Sequence, residues 1–206
     1  MSPEKQLTQG VAQLGLAFND TAGKKLLHYL ELLQKWNKVY NLTAIRQPEQ
    51  MVTYHLLDSL AVLPYLEAGH WLDVGCGAGL PGLVLAIAQP EWRFTLLDSN
   101  SKKASFVQQA IIDLQLDNAT VCCTRVENWQ VDEKFDGIIS RAFANVADFV
   151  AVTRHLLAEK GCWAAMKGEP TRELAQLPGD IEVERIISLN VPGLEGARCL
   201  VMLRTK

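Results

Sequence analysis

The segment Trp71-Leu-Asp-Val-Gly-Cys-Gly-Ala-Gly-Leu-Pro-Gly82 constrains the fold of this chain more than any other. An apolar run with the pattern of a buried strand meets a turn carrying Gly75, Gly77 and Gly79. A second apolar run follows, long enough for a short helix. Glycine has no Cβ, so it enters the left-handed region freely and lets the backbone pass close to a ligand. The helix behind such a turn is expected to aim its free N–H groups at the same place. Asp73, two residues before Gly75, narrows the choice of ligand, because a carboxylate there opposes a pyrophosphate.

The chain repeats this strand-then-helix unit. After Trp71–Val74, strands are predicted at Arg93–Leu97, Thr120–Cys123, Phe135–Ser140 and Cys162–Met166. Helices are predicted near Leu80–Ala88, Ser101–Leu114 and Asn145–Leu157. Such alternation gives a parallel sheet covered on both faces. The end breaks the rhythm. Val183–Leu189 and Arg198–Arg204 read as strands joined by Asn190-Val-Pro-Gly-Leu-Glu-Gly196, with no helix between them, so they are expected to be antiparallel neighbours. Up to about Leu66 the pattern is helical instead. Leu26, Leu27, Leu30, Leu33 and Trp36 recur at helix spacing behind a cap at Asp20 or Thr21, and a third helix is predicted to start at Pro48 and run through His55 and Leu60. Residues 1–68 thus read as a helical extension packed on a core of residues 69–206, the whole forming one compact unit.

Composition excludes some classes. The five cysteines, Cys76, Cys122, Cys123, Cys162 and Cys199, form no Cys-x-x-Cys pair, so neither a disulfide framework nor a zinc site is expected, only buried free thiols in strands. The apolar runs are too short to span a bilayer, and Met1–Gly10 lacks the apolar core of a signal peptide; a cytoplasmic monomer without membrane contact is expected. A net charge of −3 counts against generic attraction to nucleic acid. Asp20–Arg46 is locally basic, with Lys24, Lys25, Lys35, Lys38 and Arg46 against Asp20 and Glu31, which fits an RNA footprint or a solvated helix face alike.

Gly77-Ala-Gly-Leu-Pro-Gly82 matches the dinucleotide fingerprint, a weak signal alone. Asp98 closes the next strand 21 positions after Gly77, where an acid binds ribose hydroxyls or, alternatively, caps the helix at Ser101. Two features favour S-adenosylmethionine (SAM) over a dinucleotide. Asp73 suits an ammonium and a sulfonium better than two phosphates, and the terminal strand pair matches the sheet of SAM-dependent methyltransferases. Gly75 and Gly77 would approach the cofactor directly. Arg125-Val-Glu127 follows the third strand at the same crevice; Glu127 is placed to accept from an adenine amino group, or is a solvated acid. Arg141, after the fourth strand, is placed to pair with the methionyl carboxylate or a substrate phosphate, or to form a surface salt bridge. Lys167 ends the fifth strand as a phosphate contact or an ordinary strand-end lysine.

The acceptor is approached through absences. The loop Ser140-Arg-Ala-Phe143 has neither the Asn/Asp-Pro-Pro-Tyr pattern of exocyclic amine methylation nor a Pro-Cys nucleophile. No His–Glu or Lys–Asp pair stands out as a base for a hydroxyl. Guanine N7 carries an in-plane lone pair and needs no base, so alignment and water exclusion suffice, effects that supply about 7–11 kcal/mol.

Taken together, Lys35-Trp-Asn-Lys-x-Tyr-Asn-Leu-Thr43, His55-x-x-Asp-Ser59, Asp73-Val-Gly-x-Gly-x-Gly-Leu-Pro-Gly82, Leu96-Leu-Asp-Ser99 with Lys102-Lys103, Arg125-Val-Glu127, Ser140-Arg-Ala-Phe-Ala144 and Lys167-Gly168 occur in this order. The set resembles the bacterial ribosomal RNA small-subunit methyltransferase G family, also called glucose-inhibited division protein B, across almost the whole chain. The resemblance implies a Rossmann-like class I SAM-dependent methyltransferase acting on guanine N7 of 16S ribosomal RNA; the acidic balance of the chain points to that RNA within a small-subunit particle or assembly intermediate. The resemblance implies SAM contacts at Gly75, Leu80, Val126, Glu127 and Arg141, and assigns no catalytic base; Arg141 has a positioning role at most. It also makes His55, Asp58 and Asn41-Leu-Thr43 a candidate RNA rim, while Trp36 and Leu42 read as packing. A small-molecule SAM methyltransferase and a SAM-binding interaction protein are the alternatives.

Overall fold

The computed structural model describes residues 1–141, 143, 145–168, 174 and 176–206. Ala142 and Ala144 of the Ser140–Ala144 motif lie outside them. Among the described residues the core is a seven-stranded sheet: β1 (His70–Val74), β2 (Arg93–Leu97), β3 (Ala119–Cys122), β4 (Phe135–Arg141), β5 (Leu157–Lys167), β6 (Ile181–Ser188) and β7 (Cys199–Thr205). The order is β3-β2-β1-β4-β5-β7-β6. Strands β1 to β5 pair in parallel, and β7 inserts antiparallel between β5 and β6. The terminal pair read from the sequence is therefore present, with β7 lying inside the sheet and β6 at its edge.

Among the described residues seven α-helices accompany it: α1 (Pro3–Gln13), α2 (Asp20–Tyr40), α3 (Pro48–Met51), α4 (Asp58–Leu60), α5 (Gly82–Ala88), α6 (Ser101–Asp113) and α7 (Val146–Thr153). Strand pleating sends alternate residues to opposite faces. Trp71 of β1 joins the core cluster with α1, α2, α5 and α6, whereas Leu72 and Val74 join the opposite cluster with α7. The N-terminal helices share the first of these clusters, because α2 lays Leu26, Leu30 and Leu33 over α5 and α6. No described helix is long and apolar enough to cross a membrane.

Several boundaries differ from the sequence pattern for local reasons. Asn19, not Asp20 or Thr21, caps α2: its side chain accepts from the Ala22 amide at 2.8 Å, leaving Asp20 in the first turn, where an acid complements the helix dipole. The predicted helix Asn145–Leu157 stops at Thr153, and β5 begins at Leu157, earlier than the Cys162 expected. The cysteines are free, but only Cys76, Cys162 and Cys199 are buried; Cys76 lies in the glycine turn rather than a strand, and Cys123 is exposed. The helix begun at α3 widens into a π-helical stretch, Val52–Leu57, before α4. Sequence periodicity does not announce a π turn, and such turns collect at functional sites.

Candidate functional site

The glycine turn does not work as a phosphate cradle. Six of its amides are already used: Gly75 and Cys76 donate to the Leu97 carbonyl at 2.8 and 3.0 Å, and Gly79 and Leu80 donate to the Cys76 carbonyl at 2.8 Å. Gly77 donates to Asp98 Oδ2 at 2.9 Å, and Gly82 to Asp73 Oδ2 at 2.7 Å. The expectation of free N–H groups aimed at the ligand is corrected accordingly. The left-handed φ of 69° at Gly75, 58° at Gly77 and 84° at Gly79 serves to fold the turn back onto β2, where the two acids hold it. The motif's acids therefore have an internal task before any ligand arrives.

Asp98 also accepts from the Asn100 amide at 2.8 Å through Oδ1. The cap of α6 is Asn100, which accepts from the amides of Lys102 and Lys103, so the capping alternative for Asp98 falls. Two of the roughly four acceptor positions of its carboxylate are used. Asp73 is fully buried, and its Oδ1 has no hydrogen-bond partner among the described residues. Burial raises its pKa to about 7 against the restraining effects of the Gly82 amide and Arg141.

At the strand ends a cleft of about 190 Å³ is walled by Gly75, Asp98, Val126 and Glu127 together with Ser99 and Phe143. Four sequence-predicted residues thus meet on one wall system. Gly77 lies behind it, tied to Asp98. Leu80 stands apart, its side chain in the core. Glu127 is exposed on the cleft wall, in the short turn Val126–Asn128.

Arg141 faces a second, larger cavity of about 450 Å³. Phe143 lines both spaces. Ser140 fixes the start of this loop by donating its hydroxyl to the Val74 carbonyl at 2.8 Å, which locks β4 to β1. Arg141 then donates through Nη1 to the Tyr54 carbonyl at 3.0 Å and to Asp58 Oδ2 at 3.3 Å. Asp58 is buried and also accepts from Arg198 Nε at 3.2 Å. Lys167 lines the same cavity and donates to the Phe143 carbonyl at 2.8 Å. Among the described residues, Arg141, Arg198 and Lys167 line this cavity together with one carboxylate, Asp58.

The motif Trp36-Asn37…Thr43 supports this cavity from behind. Asn37 is buried and closes the loop after α2 with a pair of 2.9 Å bonds, Nδ2 to the Thr43 carbonyl and the Thr43 amide to Oδ1. The Thr43 hydroxyl lies 3.0 Å from His55 Nε2. Burial, and secondarily the charge of Arg141, lowers the pKa of His55 to about 4, so the ring is neutral at pH 7. Leu42 is buried and Trp36 packs against Phe106, as packing residues do. Sequence reasoning named Asp58 only as rim, quoted Asn37 and Phe143 within motifs without giving either a task, and did not single out Tyr54 or Arg198. His55-x-x-Asp58 on a helix was the available signal for Asp58; nothing in the local sequence marks Arg198. Another hollow of about 450 Å³ lies between α1 and α2, touches none of the strand ends, and is walled largely by Leu7, Val11, Leu16 and Phe18.

Comparison with known proteins decides the family. The family model for rRNA small subunit methyltransferase G matches residues 22–201. The chain belongs to that family. The ribosomal RNA small subunit methyltransferase G of Laribacter hongkongensis strain HLHK9 is 53% identical over 204 residues, covering 98% of this chain and 99% of its own. That of Pseudomonas aeruginosa strain LESB58 is 52% identical over 201 residues, with 97% and 94% covered. Solved structures are similar in fold alone. TrmN from Thermus thermophilus gives a TM-score of 0.58 at 16% identity over 72% of this chain and 48% of that one, about half its length. Coclaurine N-methyltransferase bound to N-methylheliamine and SAH gives 0.54 at 12% identity over 91% and 71%. The sheet is thus a Rossmann-like class I methyltransferase sheet, the chain is a methyltransferase, and the family implies SAM as donor. The residues fit that donor: among the described residues there are a buried carboxylate oxygen without a partner, a second acid with spare acceptor positions, and no free amide nest for a phosphate in the glycine turn.

Proposed function

We propose that the protein methylates N7 of a guanine in 16S ribosomal RNA, presented within a small-subunit particle, with SAM as the donor. Gly75, Asp98, Val126 and Glu127 take the adenosine part: Asp98 accepts from ribose hydroxyls and Glu127 from the adenine amino group. Gly77 supports Asp98, Leu80 contributes backbone near the methionyl group, and Arg141 pairs with the methionyl carboxylate. Bound SAM supplies an electrophilic methyl on a cationic sulfur. The observation that carries the reading is Phe143, which among the described residues is the one side chain shared by the cleft carrying Asp98 and Glu127 and the cavity carrying Arg141, Arg198 and Lys167. A donor in one and a base in the other meet at that partition. A volume of about 450 Å³ falls in the ordinary range of about 300–1,000 Å³ for ligand sites.

The cavity offers alignment rather than proton abstraction. His55 is neutral but, with a pKa near 4, a weak base, and the Asp58 carboxylate is occupied by two guanidiniums. Guanine N7 suits this arrangement: its lone pair forms the new N–C bond as the S–C bond breaks, positive charge passes from sulfur to the purine, and no proton moves. The net charge of −3 favours a shaped ribonucleoprotein over bare RNA as the substrate. Incubation with tritiated SAM and either RNA or small subunits from a strain lacking the enzyme, followed by mapping of the label, tests this. Label at one guanine N7 is expected. Absence of label in every RNA form, with turnover of a metabolite instead, would establish the small-molecule reading.

A further inference from the structure

Asp58 sits where three separate parts of the chain meet. It begins α4 directly after the π-helical stretch, and each of its carboxylate oxygens holds a different arginine: Oδ2 accepts from Arg141 at 3.3 Å and Oδ1 from Arg198 at 3.2 Å. Arg141 ends β4 beside the cofactor cleft, and Arg198 immediately precedes β7. The Arg141 guanidinium is anchored at Nη1 alone, which leaves Nε and Nη2 without partners among the described residues. Arg198 is anchored at Nε and at Nη1, the latter on the Ala197 carbonyl at 3.1 Å, and its Nη2 is similarly left over. A guanidinium presents its donors as a rigid planar fork, so fixing one edge aims the other. Asp58 is buried while Arg141 and Arg198 keep 23% and 32% of their side chains exposed, so the anchor is shielded and the aimed edges face the cavity that both arginines line.

We propose that Asp58 is a positioning residue that sets the free edges of Arg141 and Arg198 side by side, coupling the cofactor side of the site to the acceptor side through one buried carboxylate. This rests on the reading that the 450 Å³ cavity takes the acceptor. Removing the carboxylate leaves both cations present but unaimed. The charge that attracts an RNA strand therefore survives, and the alignment needed for transfer is lost.

Rates with tritiated SAM and small subunits distinguish these effects for wild type, Asp58→Asn, Arg198→Gln and the double variant. Asp58→Asn is expected to lower kcat by about tenfold or more while KM for the subunits changes less than about threefold. The double variant is expected to be no slower than Asp58→Asn, since the carboxylate acts through the arginine. Full kcat in Asp58→Asn, or losses that multiply in the double variant, would overturn the inference. Arginine side-chain NMR reads the positioning without any acceptor: the guanidinium resonances of Arg141 and Arg198 are resolved by hindered rotation in the wild type and collapse in Asp58→Asn. Unchanged resonances overturn the inference whether or not RNA is the substrate; collapsed resonances with no RNA labelled by the wild type overturn the functional reading alone. Should Asp58→Asn fail to fold, Arg198→Gln carries the test, because the Arg141 resonances must then shift, and their failure to do so is equally decisive.

Discussion

The proposed cofactor side and the proposed acceptor side of this molecule are built by different means. The cofactor side is mostly backbone: the turn from Val74 to Gly82 is folded onto β2 by its own amides, with two carboxylates as pins. The acceptor side is mostly side chain: Asp58 holds Arg198 and the bordering Arg141, His55 bonds Thr43 and Lys167 bonds the Phe143 carbonyl. A backbone-built site tolerates few residue types at its glycines, whereas a side-chain-built site fails by losing orientation. Away from Asp58 and Arg141, where they join, the two halves should therefore break separately, and each substitution below is chosen to damage one and spare the other.

The largest effect is expected at Gly75. A Cβ there meets nothing within 4 Å, so the fold has room for a side chain, but φ is +69° and the position faces the cleft. Gly75→Asp adds left-handed strain of about 1–2 kcal/mol and a carboxylate beside Asp98. Affinity for S-adenosylhomocysteine by calorimetry is expected to fall by about 100-fold or more, equivalent to about 2.7 kcal/mol. Binding of small subunits, measured by filter retention, is expected to stay within about threefold. Equal loss in both assays would show that the two halves are not separable.

Asp73→Asn comes next and separates stability from binding within the cofactor side. The folded carboxyl, raised to about 7, keeps its proton at pH values where the unfolded one, near 3.8, has lost it. The contribution of Asp73 to stability is therefore greatest at low pH, declines as pH rises from about 4 to about 7, and stays low above that. Asn keeps the acceptor for the Gly82 amide without the buried charge. The variant is expected to melt higher than wild type at pH 8 and about equally at pH 4, while binding S-adenosylhomocysteine about tenfold more weakly at pH 8. A variant that binds normally would remove Asp73 from the cofactor's partners. A related steric check is Gly82→Ala, whose Cβ would lie 2.8 Å from Asp73 Oδ2 and 2.9 Å from Leu96 Cδ2.

The same contrast explains what could be read from the sequence. Trp71–Gly82 announced a strand, a glycine turn and a helix because local periodicity and φ requirements encode them within a dozen residues, and Asp98 was singled out by its spacing to Gly77. The use of the amides was not legible: whether Gly77 donates to a ligand or to Asp98 depends on how β2 ends beside β1, which no local pattern states. The acceptor side was harder still. Asp58 and Arg198 are 140 residues apart and meet only because β7 inserts between β5 and β6 rather than adding at the edge. The π-helical turn that presents Tyr54 and His55 leaves the apolar spacing of a helix nearly unchanged. Family resemblance reached the Trp36–Thr43 motif but not the task of Asn37, which is to close a loop.

Asn37→Ala damages the acceptor side from behind. It leaves the Thr43 amide and carbonyl without the two 2.9 Å bonds that close the loop, a loss of about 1–3 kcal/mol where those groups stay buried. The melting temperature is expected to fall by several degrees, and KM for small subunits to rise about threefold to tenfold as His55 and the cavity wall loosen. Affinity for S-adenosylhomocysteine is expected to remain unchanged. If the cofactor affinity fell instead, the loop would belong to the other half.

The smallest effect concerns His55, and it sharpens the comparison through its sign. A folded pKa near 4 against an ordinary 6.5 means that the unfolded chain binds a proton there before the native protein does. Stability from this group is full above about pH 6.5 and is lost as pH falls towards 4. The slope is opposite to that of Asp73 over an overlapping window: one buried group on each side, one disfavouring the acidic end and the other the neutral end. His55→Gln keeps a side chain able to bond the Thr43 hydroxyl and cannot titrate. Melting curves from pH 4 to pH 8 are expected to show a shallower acid limb in His55→Gln, a raised neutral limb in Asp73→Asn, and both changes together in the double variant. The two groups sit in different halves of the site, so their effects are expected to add within about 0.5 kcal/mol. A coupling larger than that would mean that Arg141, which lowers both pKa values, transmits charge between the halves even without a ligand.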